Sequence, residues 1–268
     1  MGKRLSHAPV FFVVAQVRHS PILKLDVLVP DLQDKFRKSG FPGYRALKRI
    51  NFEVGVNEAS PQETTFQRQE VISHIFSSRN GTDSFVSDKD SFAFQTVEYD
   101  TFETFSETFH RGISAMNEVF GPDSFSSVGL RFLDAIAPRE NEIISKYIHK
   151  QFLGLQDTLD EEWQVDYTFN ETTVVRKDQK LKTRVLTRDS QLMWPPDLAV
   201  TAPLLPERFA SLVGLHALVD TDASFSVENG QVHEFDVSTV LARLKSLKSD
   251  ISKAFAATVT PEALKVWE

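Results

Sequence analysis

Residues 91–137, SFAFQTVEYDTFETFSETFHRGISAMNEVFGPDSFSSVGLRFLDAIA, constrain the fold more than any other stretch, because a helical repeat is held there between two alternating ones. Phe102, Phe105, Phe109, Ile113, Met116, Val119 and Phe120 recur at steps of three and four, so they line one face of a helix. Asp100 is placed to cap that helix, with Glu103 at capping-box spacing, and Gly121 and Pro122 stop it. Phe92 and Phe94 on one side, and Val128, Leu130, Phe132 and Ile136 on the other, alternate with period two. The expected unit is strand, helix, strand, with the helix lying on one apolar sheet face.

The flanking chain extends this pattern. Residues 10–18 read as a central strand, with Phe12, Val14 and Gln16 on one face and Phe11, Val13, Ala15 and Val17 on the other. Pro30 and Asp31 open a helix through Leu32 and Phe36 that ends at residues 40–43; residues 45–56 form a strand, and residues 57–65 a loop. Asn80 and Gly81, both tolerant of positive φ, join residues 71–77 and 84–87 as a hairpin, which residues 91–97 extend to a meander. Pro138 is the expected internal boundary. After it, residues 140–153 predict a helix through Ile143, Ile144, Tyr147, Ile148 and Phe152, and residues 156–162 an exposed acidic stretch. Residues 163–176 and 181–193 alternate as strands about a turn at Asp178 and Gln179. Four prolines make residues 195–207 a surface loop, residues 209–225 a strand, and Asp236 caps a closing helix through Val240, Leu244, Leu247, Ile251 and Phe255.

The expected fold is α+β, with two antiparallel or mixed sheets covered by long helices. SVGLRFLD at residues 127–134 echoes LVGLHALVD at residues 212–220, with Arg131 and His216 in matching places. Two similar halves, residues 1–138 and 139–268, packed as one compact unit, are therefore expected.

Composition narrows function by exclusion. The chain has no cysteine, which removes disulfides, thiolate metal sites and cysteine nucleophiles and suits a reducing cytoplasm. The apolar run at residues 8–17 is too short to cross a bilayer and lacks a cleavage pattern, so a strand is expected there, with no membrane partner. A net charge of -7 argues against a wholly nucleic-acid-binding surface, but its distribution is uneven: residues 1–50 hold ten bases against three acids. There is no phosphate-binding glycine loop, dinucleotide fingerprint, zinc-protease helix, nucleophile elbow or calcium loop, and no cofactor is expected.

Three constellations remain. His216, Asp220 and Asp222 stand at even spacing on one strand, so an imidazole and two carboxylates share a side and could hold a divalent cation; a half-buried strand with polar ends is the plainer account. Lys180, Lys182, Arg184 and Arg188 share a strand face, either tracking a nucleic-acid backbone together with Arg131, Arg18 and His19, or guarding an edge against pairing. Arg131, in an otherwise apolar strand, either pairs with a carboxylate such as Glu98 or Asp134 or holds an anion.

The phrases PVFFVVAQVRHSPI, SSVGLRFLDAI, LHALVDTDAS and LKSLKSDISKAFAATVTPEAL resemble a family of sporadically distributed bacterial proteins known chiefly by a number, across nearly the whole chain. The most specific phrase is Gly129-Leu130-Arg131-Phe132, where the family has Gly-Leu-Arg and an aromatic. The family's closing helix carries His-x-x-Ile-x-x-x-Phe ahead of a Thr; here Lys248 stands at the His position before Ile251, Phe255 and Thr260, so no chemistry of that His is carried over. The resemblance implies a bacterial, cytoplasmic, accessory-type protein and no activity. The sequence thus points to a non-enzymatic binding protein acting with a protein partner, with a nucleic-acid or nucleotide binder on the basic strand face, extending to an RNA-processing enzyme, as the alternative.

Overall fold

The computed structural model describes residues 7–56, 64–155, 162–163, 166–227 and 231–268, with the backbone alone at residues 51–56 and 64–69. The chain is α+β. Its strands are β1 (Val10–His19), β2 (Gly43–Val56), β3 (Thr64–Ser77), β4 (Asp83–Asp88), β5 (Ser91–Thr96), β6 (Ser124–Ile136), β7 (Tyr167–Arg176), β8 (Gln179–Gln191), β9 (Val213–Ser226) and β10 (His233–Glu234). All ten belong to one sheet of order β2-β3-β4-β5-β1-β6-β9-β8-β7, with β10 beside the start of β6. Every pairing is antiparallel. The expected two sheets are therefore one, continuous across Pro138, because β6 and β9 pair directly from Ser127↔Ser226 to Ile136↔Ala217.

Three helices, α1 (Leu25–Lys38), α2 (Phe102–Phe120) and α4 (Val237–Thr258), lie on one face of this sheet. Their stripes, Leu32 and Phe36, Phe109 and Ile113, Val240 and Leu244, meet the inward residues of the strands, among them Val13, Ala15, Val17, Phe92 and Leu130. α5 (Pro261–Trp267) and the chain after β6 extend that layer around Tyr147, Val219 and Trp267. On the opposite face a smaller core forms where residues 192–212, including the short α3 (Glu207–Ala210), fold over Phe12, Leu133 and Leu218, and Ile75, Val86 and Ala93 cluster beside Val14.

Several local expectations are corrected. α1 begins at Leu25, with Pro30 inside it, because burial of Leu25 and Val29 secures the first turn. The cap of α2 is Thr101, whose hydroxyl accepts from the Thr104 N–H, one residue after Asp100. No α-helix forms over residues 140–153. Asn141 takes φ +63°, only short 3-10 turns follow at Ile144–Lys146 and Lys150–Phe152, and His149 N–H donates to the Thr258 carbonyl. Ile148 makes a β-bridge with Val259, so this stretch buries Ile144, Tyr147 and Ile148 by pairing with the end of α4 and leaves Ile143 exposed.

In β1 a register irregularity between Val10 and Phe12 puts both Phe11 and Phe12 against Trp194, at 5.5 and 4.9 Å between ring centres. The two had been expected on opposite faces. The last long strand, β9, starts at Val213, after α3. Asp236 caps α4 as expected, accepting from the Thr239 N–H at 2.7 Å. Residues 57–63 of the expected loop and residues 156–161 of the acidic stretch lie outside the described residues, while Thr64 and Thr65 already belong to β3.

Candidate functional site

The centre of the sheet, on the face opposite α1, α2 and α4, carries a buried charged cluster. Antiparallel register builds it. Arg131 of β6 lies opposite Asp222 of β9, which lies opposite Lys182 of β8; one row further, Leu133, Asp220 and Arg184 are aligned, with Glu171 of β7 opposite Arg184. The period of two that makes Leu130 and Phe132 core residues thus turns Arg131 toward the other face.

Arg131 is 8% exposed and Asp220 4%, so both charges have left water. The guanidinium answers with a two-pronged contact, Nε to Asp220 Oδ1 at 2.7 Å and Nη2 to Asp220 Oδ2 at 2.8 Å. Its Nη1 donates to Asp197 Oδ2. Arg184 donates from Nη1 to Asp220 Oδ2 and from Nε to Glu171 Oε2, both at 2.8 Å. Burial opposes the charge of Arg131, but the hydrogen bonds to Asp220 and Asp197 outweigh it and hold its pKa above the ordinary arginine value. Burial opposes the charge of Asp197 too, and Arg131 again prevails, leaving that carboxyl below its ordinary value. Glu171 is held low by Arg184. Removing one member of such a buried pair strands the other, typically at ~3–5 kcal/mol, so the cluster fixes β6, β8, β9 and residue 197 relative to one another.

Asp197 belongs to the proline-rich segment, and its contact with Arg131 helps to secure the segment to the sheet. Gln95 of β5 donates to the Thr201 carbonyl, and Trp194 packs on Phe11 and Phe12. Asp222 stands apart within the cluster. Burial raises its carboxyl above the ordinary aspartate value, against Arg131 and with the help of Asp220.

The sequence-derived candidates land as follows. Arg131, Lys182 and Arg184 meet in the cluster, and Lys180 lies on the same face beyond them, opposite Ser224. Arg188, on that face too, lies opposite His216 at the far end of β8. Arg18 is distant, pairing with Asp90 at 3.7 Å near the end of β1. Among the described residues Lys180 and Arg188 have no carboxylate within ion-pair range, whereas Arg131 and Arg184 are fully engaged.

The carboxylate partner expected for Arg131, Glu98 or Asp134, is instead Asp220 with Asp197. Asp134 is three positions along β6 and so faces the helices. The cation trio His216, Asp220 and Asp222 is also corrected. The three do share a face, but Asp220 is claimed by two guanidinium groups and His216 Nδ1 donates to the Gly214 carbonyl at 2.8 Å. Among the described residues no group of three His, Asp or Glu could hold a metal ion.

Sequence reading missed Asp197 and Glu171. Glu171 was within reach, because a β7–β8 hairpin closed by Arg176 and Gln179 sets Glu171 opposite Arg184. Asp197 was not, since nothing local fixes the path of a proline-rich segment.

Beyond the cluster, this face continues through Ser224, Gly129 and Gln16, all half-buried. A Cβ built on Gly129 would meet nothing within 4 Å. No protein-family model, curated protein or solved structure matches the chain. None of the described helices is long and apolar enough to cross a membrane.

Proposed function

We propose that this is a non-enzymatic binding protein that receives a protein partner on the face of its sheet opposite α1, α2 and α4. One observation carries the reading: the strongest charges on that face are already matched to one another. With Arg131 and Arg184 committed to Asp220, Asp197 and Glu171, the face offers a preordered, nearly neutral surface of small and amide side chains around Gly129 and Gln16. Such a surface suits a protein, whose interfaces are mixed in polarity, better than a polyanion, which needs unpaired cations. The resemblance to a bacterial accessory family agrees with this and supplies no chemistry.

A photo-crosslinking residue in place of Gly129, compared with one in place of Glu107 on the outer side of α2, tests the reading in native cells. A discrete protein adduct from position 129 and none from position 107 is expected. No adduct from position 129, or equal adducts from both, overturns it.

The second reading, a nucleic-acid binder, is favoured by Lys180 and Arg188, the two cations of β8 left without carboxylates. It requires RNA binding that weakens steeply with salt and disappears in a Lys180→Glu, Arg188→Glu variant.

A further inference from the structure

The two outer strands of the sheet are protected differently. β2 carries Arg45, Lys48 and Arg49 in its first half, the cationic lining that keeps an edge from pairing with other chains. β7 carries no such cationic run. No proline, glycine or lysine lies in Tyr167–Arg176, and the register with β8 runs unbroken through ten residue pairs. Its two charges are matched, Glu171 by Arg184 at 2.8 Å and Arg176 by Asp250 at 3.1 Å. Yet Tyr167, Phe169, Val174 and Val175 are 63%, 55%, 52% and 71% exposed. A regular, exposed edge of aromatic and β-branched residues is a template for another strand.

We propose that β7 is a self-association edge: β7 of a second copy of this chain adds to it antiparallel, with Thr172 facing its own counterpart across a two-fold axis. The strand's self-complementarity identifies the occupant. A two-fold antiparallel ladder sets one residue opposite itself. Centred on Thr172, it places Phe169 opposite Val175, Asn170 opposite Val174 and Glu171 opposite Thr173. These include the aromatic–β-branched and Thr–Thr pairs that stabilise sheets, and no like charges meet. Centring on Glu171 would set two carboxylates face to face; centring on Thr173 would set Glu171 against Val175 and lose the Phe169–Val175 pair. A nine-residue ladder, Thr168 to Arg176, with Phe169, Val174 and Val175 as its large apolar side chains is a modest interface, so dissociation in the micromolar range is expected.

Because the chain has no cysteine, one introduced thiol reports the register. Directly opposed residues have Cα atoms about 4.5–5.5 Å apart, within disulfide reach, whereas Val175 and its counterpart would be roughly 20 Å apart. Mild oxidation is therefore expected to crosslink Thr172→Cys and not Val175→Cys. Sedimentation of the unmodified chain between about 1 and 100 µM should show monomer passing to dimer. Thr172→Lys should weaken the dimer at least tenfold, and mixing it with Thr172→Glu should restore it. Thr172 is exposed, so these variants keep the monomer fold, which circular dichroism checks. A chain monomeric at about 100 µM, a dimer indifferent to Thr172→Lys, or equal crosslinking at both positions overturns the proposal. None of these results bears on the Gly129 face.

Discussion

Asp134 is 5% exposed on the helix-covered face, next but one to Phe132, whose ring lies 5.1 Å from Lys248 Nζ. Burial lifts the carboxyl to about 7 although Lys248 pulls the other way, and burial likewise lowers Lys248 against Asp134 and Glu103. An acid whose value is raised on folding binds its proton more tightly in the folded state. Folding is therefore favoured at low pH, and that advantage is lost as pH rises from about 4 through about 7. Asp134→Asn, with no charge to bury, should be more stable than the unmodified chain at pH 8, by at most ~4 kcal/mol, and should lose that margin near pH 4. Denaturant titrations at the two pH values check this; a margin independent of pH would exclude Asp134 as its source. Arg131 shows how far single residues are legible. A guanidinium amid Leu130 and Phe132 announces that it needs an anion, and the alternation of the strand gives its side. Which anion answers depends on the β6–β9 pairing, which joins residues 89 positions apart and leaves no local trace.

Among the elements, α2 and α4 were readable because their apolar stripes follow the helical period over several turns. α2 also depends on a residue whose role no period reveals. A Cβ on Gly112 would sit 2.1 Å from the Phe85 ring, which is stacked on Phe36 at 4.6 Å and lies against Phe41 at 4.6 Å, so the ring has little room to yield. Gly112→Ala gains about 1 kcal/mol of helix propensity but incurs roughly 1–3 kcal/mol of overpacking. A net loss of about 1 kcal/mol is expected, turning into a gain in a Phe85→Leu background; thermal melts of the single and double variants decide it. Residues 140–153 misled for the converse reason. Their apolar spacing suits a helix, but the hydrogen bonds of His149 and Thr260 run between that segment and the end of α4, where a bridge buries Ile148 beside Ile144 and Tyr147.

At the scale of the molecule, β6 joins everything. β1 pairs along one side of it and β9 along the other, while α4, made more than a hundred residues later, covers its Val128, Leu130 and Phe132. The echo between residues 127–134 and 212–220 therefore marks two neighbouring strands of one sheet, and its resemblance across the chain was no guide to where the sheet divides. One cooperative unfolding transition is expected for the whole chain, and residues 1–138 alone should bind hydrophobic dyes and aggregate. Two separate transitions, or a well-folded N-terminal piece, would contradict that picture.

The same sheet order has a consequence during synthesis. β6 is complete at Ile136, but β9 begins only at Val213. At 5–20 residues per second, the most central edge of the sheet stands open for roughly 4–15 seconds on a nascent chain. Until residues 137–212 have been made, that edge and the apolar side of β6 are available to any strand nearby. The yield of this protein in a cell is thus set in part by whatever shields nascent chains over that interval.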